Sequence, residues 1–85
     1  MIRLFVNMNP ISLSELRPGQ SARIVSLDQD KPVSQKLLHL GVLPDKLIRF
    51  IKTAPMGDPL EFEVEGTNFS VRRKDASSIS VELIA

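Results

Sequence analysis

Few residues of this chain have the type and spacing that catalysis or metal binding requires. The 85 residues include one histidine, His39, and no cysteine, whereas a non-haem ferrous site normally uses two histidines and a carboxylate. The aspartates Asp28, Asp30 and Asp58 do not follow the spacing of a calcium-binding loop. We therefore expect no metal site within one chain, and we expect His39 to be exposed or partly packed on a helix.

The sequence also gives no support for acid–base or nucleophilic catalysis. Glu61, Glu63 and Glu65 alternate along a predicted strand, which is typical of the solvent face of a half-buried strand. The single histidine has no evident nucleophilic partner, and the chain contains neither a Walker pattern nor a GxGxxG loop. We expect no catalytic residue, no bound cofactor and a role that is not enzymatic.

The charge balance argues against nucleic acid as a partner. Eleven basic and ten acidic residues give a net charge of +1, and four phenylalanines are the only aromatic residues. Nucleic-acid binders normally combine a basic face with aromatic side chains that stack on bases. The one basic run, Arg72 to Lys74, is interpreted as a solvated strand end, with docking to an acidic partner surface as the alternative.

Composition and length indicate one small globular domain. Hydrophobic residues make up 42% and charged residues 25% of the chain, which are ordinary globular values. The opening stretch "MIRLFV" is too short for a signal sequence or a membrane span. We expect a cytoplasmic protein without direct membrane insertion, and the absence of cysteine is compatible with a reducing compartment.

Two helical segments are predicted from their start and stop signals. Ser12 and Glu15 have capping-box spacing, so a helical turn is expected there. A helix of about two turns is expected to begin near Pro32 and to end at Gly41, where glycine suits a left-handed cap.

The remaining elements are predicted strands. "LIRFIKT" is apolar on both faces, which predicts a central strand, and "KDASSI" is expected to interrupt the sheet before "ISVEL". A two-residue loop at Gly66-Thr67 would join two strands into a hairpin. The expected hairpin pairs are Val64–Phe69, Phe62–Val71 and Glu61–Arg72. The expected core residues are Phe50, Phe62, Val64, Phe69, Val71 and Val81.

Together these elements predict a mainly β fold. We expect a small SH3-like barrel of about five antiparallel strands, with one short inserted helix and a helical turn near the N-terminus. Closing the sheet into a barrel would protect its edge strands. We assign a single domain to residues 11–85 and an extension to residues 1–10.

The stretch "PMGDP" combines a flexible apolar side chain with stiff neighbours. Pro55, Met56 and Gly57 fit a type I turn, and Asp58 should be extended because Pro59 follows it. Methionine adapts to irregular partner surfaces, and a stiff loop loses little entropy on binding. We favour contact between Met56 and a partner, and the alternative is that Met56 folds over its own barrel.

Four stretches in this order resemble the FeoA family, the small cytosolic proteins that accompany the ferrous-iron transporter FeoB. They are "SLSELRPGQSARI", "KLLHLGVLPDKLIRF", "APMGDPLEFEVEG" and "FSVRRKDASSISV". The resemblance implies an SH3-like barrel, an accessory role in ferrous-iron uptake and no agreed catalytic residue. Pro44-Asp45 departs from the Pro-Gly that is usual in this family, and aspartate tolerates a left-handed conformation less well than glycine.

The resulting hypothesis is a non-catalytic accessory protein that docks on the cytosolic part of a FeoB-like membrane GTPase transporter, as a monomer or weak homo-oligomer. It would thus be peripheral to the inner membrane through its partner. The expected partner-binding residues are Met56, Gly57, Asp58, Leu40, Gly41, Arg72 and Arg73. One alternative is a regulatory SH3-like module related to the C-terminal domain of metal-dependent repressors, for which a winged-helix domain would be expected in the same chain. A small RNA-binding barrel is a more distant alternative.

The family resemblance does not cover the first ten residues. Ile2, Leu4 and Val6 alternate with other residues as in a strand, which we expect to pair with the C-terminal strand Ile79 to Ile84 in the same chain. The alternatives are a strand-exchanged dimer, or a physiological start at Met8 that leaves the leader disordered.

Overall fold

The computed structural model describes residues 9–84 and is mainly β. The strands within these residues are β1 (Ile11–Ser12), β2 (Ser21–Leu27), β3 (Leu47–Thr53), β4 (Leu60–Val64), β5 (Thr67–Val71) and β6 (Ile79–Leu83). The helices in the same range are a 3₁₀ helix (Leu13–Glu15), α1 (Pro32–His39) and α2 (Arg73–Ala76).

All the described strands belong to one antiparallel sheet with the order β1-β6-β2-β3-β4-β5. The central position predicted for β3 is confirmed, because β3 lies between β2 and β4. The expectation that β3 is apolar on both faces is wrong at its first residue, since Leu47 is 57% exposed. That side chain lies on the outer face, opposite Arg23 of β2.

The two edges of the sheet approach each other through helical turns. The 3₁₀ helix follows edge strand β1, α2 follows edge strand β5, and these two helices are in contact. The Ser12 hydroxyl donates to the carbonyl of Ala76 at 3.4 Å, and Leu13 and Ala76 are both buried. Helical segments therefore connect the two edge strands of the sheet.

Local capping signals correctly predicted two helical segments. Ser12 and Glu15 form the expected capping box, in which the Ser14 amide donates to the Ser12 hydroxyl at 3.1 Å and the Ser12 amide donates to the Glu15 carboxylate at 3.0 Å. Helix α1 begins at Pro32 and is followed by Gly41 with φ +96°. Helix α2 is a single turn that begins at Arg73 and runs into "KDASSI", where the sequence predicted only an interruption of the sheet.

Phe62 lies at the centre of the core and is fully buried. Its ring centroid is 5.1 Å from that of Phe50 and 6.4 Å from that of Phe69. Five of the six predicted core residues are buried, and Phe69 is partly buried against them. The buried hydrophobic residues within 9–84 are Leu13, Leu16, Ala22, Ile24, Leu27, Leu37, Val42, Ile48, Phe50, Leu60, Phe62, Val64, Val71, Ala76, Ile79 and Val81.

The predicted register of the β4–β5 hairpin is wrong by two residues. The turn is Glu65-Gly66, with φ of +49° and +86°, as a two-residue type I′ turn requires. The observed pairs are Leu60–Val71, Glu61–Ser70, Phe62–Phe69, Glu63–Asn68 and Val64–Thr67. The predicted buried and exposed faces are nevertheless correct, because side chains alternate with a period of two and a shift of two residues keeps each side chain on the same face.

The predicted pairing of residues 2–6 with the C-terminal strand lies outside the described residues. Within them, β1 pairs Ile11 with Val81 and Ser12 with Ser80, while β2 pairs with the other side of β6. Part of the edge expected to receive the extension is thus occupied by β1.

Candidate partner-binding surface

The loop between β3 and β4 is a closed, well-bonded turn. The Gly57 amide donates to the Ala54 carbonyl at 2.8 Å, and the Ala54 amide donates to the Pro59 carbonyl at 2.9 Å. The side chain of Met56 is 91% exposed. Of the two orientations considered for Met56, the loop adopts the outward one.

Arg73, the first residue of α2, forms two hydrogen bonds with this loop. Its amide donates to the Asp58 carboxylate at 2.8 Å, and its guanidinium donates to the Gly57 carbonyl at 3.2 Å. The predicted residues Gly57, Asp58 and Arg73 are therefore brought together. The connection also explains the unpredicted helix α2, because the side chain that caps it comes from fifteen residues earlier in the chain.

An open cleft lies beside the loop. Its volume is about 330 Å³, and it is lined by Asp58, Pro59, Ser70 and Arg72. Within residues 9–84, the guanidinium of Arg72 makes no hydrogen bond or ion pair. Ser70 was not predicted to lie at this cleft, because the predicted hairpin register was shifted by two residues. A turn at Glu65-Gly66 would have placed it there.

The two remaining predicted residues lie at the opposite end of β3. Leu40 and Gly41 lead through the turn at residues 43–46 into the start of β3, whereas the Met56 loop leaves its end. Seven residues of strand separate the two ends, which is about 20 Å. Leu40, Leu43 and Leu47 are exposed there at 42%, 40% and 57%, so the candidate residues form two groups.

Several charged side chains on the outer face of the sheet form ion pairs with each other. Arg49 donates to Glu63 at 2.7 Å, and Lys46 donates to Glu65 at 3.0 Å. Glu61 instead accepts from the amide of Asn68 at 3.2 Å. The prediction that the three glutamates form a solvent face is confirmed, but the basic partners of Glu63 and Glu65 come from the β3 side and not from β5.

These contacts shift two side-chain pKa values. The hydrogen bond from Arg49, opposed by partial desolvation and aided by the charge of Arg49, lowers the pKa of Glu63 below its ordinary value. The hydrogen bond and charge of Glu82, with a smaller contribution from Asp45, raise the pKa of Arg23. Because these pairs lie at the surface, water screens them and each contributes little to stability.

Asp45, which follows Pro44, adopts a left-handed conformation of the kind that glycine favours, with φ +74°. Its amide donates to the Ile24 carbonyl at 2.7 Å, and its carboxylate pairs with Arg23, which also bonds Glu82. The glycine-like turn is thus retained by aspartate, whose side chain is tied to the sheet.

Two kinds of site are not found among the described residues. No group of three or more histidine, cysteine, aspartate or glutamate side chains is arranged to hold a metal ion there, and His39 is exposed. No helix in the described range is long and apolar enough to cross a membrane.

The fold is that of a small SH3-like domain, and the sequence profile of the FeoA domain matches residues 11–83. The chain belongs to the FeoA family, which confirms the predicted resemblance. The family is associated with Fe(2+) transport, as the names of its members state.

Two curated relatives carry such names. The chain is 37% identical over 73 residues to the Fe(2+) transport protein A/Fe(2+) transporter FeoB fusion protein of Porphyromonas gingivalis, a match that covers 86% of this chain and only 9% of the fusion protein. It is 30% identical over 74 residues to a Campylobacter jejuni protein named as a candidate Fe(2+) transport protein A, which covers 87% of this chain and 100% of that protein.

Solved structures agree with the fold prediction. FeoA of Chlorobium tepidum has a TM-score of 0.82 and 32% identity, covering 88% of this chain and 71% of that chain. FeoA of Stenotrophomonas maltophilia in complex with zinc, described as a prokaryotic SH3 domain protein, has a TM-score of 0.71 and 28% identity, covering 85% and 89%. A manganese-dependent transcriptional repressor has a TM-score of 0.79 at 13% identity, covering 91% and 42%, which is a likeness of fold alone.

Proposed function

We propose that this chain is a non-catalytic accessory protein of ferrous-iron uptake that docks on the cytosolic part of a FeoB-like membrane GTPase transporter. This role would make it a cytoplasmic protein that reaches the inner membrane through its partner. Membership of the FeoA family supports the proposal. The Porphyromonas gingivalis relative supports the partner, because its name joins transport protein A and transporter FeoB in one polypeptide.

The observation that carries the docking hypothesis is the outward Met56 on a loop fixed by Arg73. An exposed methionine at the tip of a bonded turn offers a large adaptable apolar contact. Because the loop is already ordered, binding need not restrict it further. We assign Met56, Gly57, Asp58, Arg72 and Arg73 to the main contact.

The second group, Leu40 and Gly41, lies on a separate apolar surface with Leu43 and Leu47. A transporter domain large enough to span about 20 Å would contact both groups at once. We therefore retain the helix end as a secondary part of the docking surface, to be tested by its own substitution.

The experiment compares two substitutions of Met56. Met56→Asp should reduce capture of the FeoB-like cytosolic domain of the same organism at least tenfold, by roughly 1.4 kcal/mol, while the melting temperature stays unchanged. Met56→Leu is the matched control, since it keeps an apolar side chain at the same place. Growth under iron limitation should follow the same order.

Two results would move or remove the proposed interface. Normal capture by a stably folded Met56→Asp protein, together with loss on Leu40→Asp, would transfer the contact to the helix end. Failure of the wild-type chain to bind the transporter domain at micromolar concentrations would contradict the proposed function itself. A reading frame for a GTPase with a membrane domain next to this gene would support it.

A further inference from the structure

We propose that the outer edge of β5, which pairs with no other strand within residues 9–84, binds an extended, acidic segment of another protein as an added strand. Strand addition at this edge does not require the partner to be a transporter. It shares Arg72 with the surface described above, but its test uses Ser70 and peptides, so the two proposals can fail separately.

The two edges of the described sheet differ in how they are protected. Edge strands are normally shortened, charged or interrupted by proline, because unpaired backbone groups attract other strands. β1 has only two residues and directly follows Pro10. β5 has five residues, "TNFSV", with neither charge nor proline. Of the two edges, β5 is therefore the one open to strand addition.

The hairpin geometry shows which backbone groups of β5 are available. In a two-residue hairpin the closing pair, Val64 and Thr67, exchanges hydrogen bonds, so alternate residues of β5 face β4. The amides and carbonyls of Asn68 and Ser70 consequently face away from the sheet. Among the backbone bonds outside regular elements in residues 9–84, none uses the amide of Asn68, Ser70 or Arg72. This row matches the spacing that peptides use when they add to a sheet edge.

Charge at the end of β5 indicates the chemistry of the occupant. Arg72, Arg73 and Lys74 follow the strand in succession, and within the described residues none of their side chains has an ion pair. The Asp58 carboxylate that lines the cleft beside Arg72 already accepts the Arg73 amide. A strand added along β5 would bring its side chains to these cations, so acidic residues at that end would be favoured.

A second copy of this chain matches the edge less well. Antiparallel pairing of two β5 edges must align outward-facing residues, and the two central registers place Arg72 opposite Gly66 or Asn68 of the other copy. Neither residue is acidic, and the nearby Glu65 is already paired with Lys46 at 3.0 Å. An acidic segment of another protein therefore satisfies the cationic end better than self-association does.

The test uses short fluorescein-labelled peptides in which threonine and valine alternate between a pair of glutamates at each end. Binding to the full-length protein should be detectable by anisotropy at about 1 mM or below. It should slow hydrogen exchange at the amides of Asn68 and Ser70. A peptide with lysines in place of the glutamates, and one methylated at its central backbone amides, should each bind at least about tenfold more weakly.

Protein variants separate the backbone contribution from the charge contribution. Ser70→Pro removes an amide that faces away from β4, so it should abolish binding, whereas Ser70→Ala keeps the amide and should bind normally. Arg72→Glu should weaken the glutamate peptide and favour the lysine peptide. Arg17→Glu, an equal charge change at another exposed arginine, is the matched control.

Several outcomes would overturn the proposal. Equal binding of the methylated or lysine peptide, or binding without slowed exchange in β5, excludes acidic strand addition, and so does absence of binding at the highest concentration. Protection of β5 that rises with protein concentration alone would assign the edge to a second copy. Tighter binding of an oligouridine RNA than of the glutamate peptide would assign the basic end to nucleic acid. The methylated peptide keeps the test decisive even if Ser70→Pro fails to fold.

Discussion

At the scale of single residues, the side chains that stabilise the fold differ from those that face the solvent. Phe62 is fully buried between two other phenylalanine rings, whereas Met56 is almost fully exposed at a loop tip. We expect a change at the first to act on stability, and under the proposed docking a change at the second to act on association. This separation allows folding and docking to be tested with different substitutions.

Phe62→Ala should lower the free energy of unfolding by about 3–5 kcal/mol, because it removes a buried ring and leaves a cavity. That loss is a large part of the roughly 5–15 kcal/mol that stabilises a typical domain. Leu47→Ala, at an exposed position of the same sheet, should change stability by no more than about 0.5 kcal/mol. Urea unfolding measures both, and an unchanged Phe62→Ala protein would be incompatible with the observed core.

The pair of Glu63 and Arg49 predicts part of the response to acid. Since the folded-state pKa of Glu63 is lowered from its ordinary value of 4.5, its ionised form stabilises the fold above that pH. This contribution is lost as the pH falls through the lowered pKa. Glu63→Gln should therefore show a shallower fall in melting temperature below pH 4.5 than the wild type.

Arg49→Gln provides the matched control for this acid response, because it removes the partner and leaves the carboxylate in place. It should flatten the same part of the pH profile. If either variant retains the full acid sensitivity of the wild type, the ion pair does not determine the pKa of Glu63 in solution.

At the scale of elements, the sequence correctly predicted those structures that depend only on residues close by in the chain. The capping box at Ser12 and the proline start and glycine end of α1 are local, and the structure contains all of them. Helix α2 could not be read in this way, since its amide at Arg73 is capped by Asp58 across the fold.

The candidate site shows the same division between local and distant contacts. The turn around Met56 could be predicted from Pro55 and Gly57, but the hydrogen bond between Gly57 and Arg73 joins residues far apart in the sequence and could not. The place of Ser70 in the cleft depends on hairpin register, and two registers of equal parity bury the same face. Tertiary contacts and register therefore had to come from the structure.

The hairpin turn makes a prediction at the element scale. Gly66→Ala should destabilise the protein by about 1–2 kcal/mol, because φ of +86° is costly for a residue with a Cβ. Glu65→Asn should be tolerated, since Asn-Gly is preferred in type I′ turns and the exposed ion pair with Lys46 contributes little. Denaturant titrations should rank the two variants in this order; the opposite order would argue against the Glu65-Gly66 turn.

At the scale of the whole molecule, the candidate contacts are unevenly distributed. The Met56 loop, the cleft at Arg72 and the open edge of β5 are joined through Asp58, Pro59 and Ser70. The apolar helix end lies beyond the other end of β3. Within residues 9–84, one side of the protein thus combines an adaptable apolar tip, cations and outward-facing backbone groups, which supports the proposal that it contacts another protein.

The residue composition of the whole chain makes a prediction about iron binding. We expect the purified monomer to bind Fe(II) no more tightly than a generic acidic surface, because one chain has a single histidine and no cysteine. Anaerobic titration calorimetry should therefore give only weak, non-stoichiometric heats. A stoichiometric site with sub-micromolar affinity would contradict this prediction. The first explanation to test would then be a site shared between subunits through His39. His39→Ala should abolish such a site, and the apparent affinity for Fe(II) should increase with protein concentration. If neither occurs, the ligands lie elsewhere in the chain and an accessory role without bound iron is wrong.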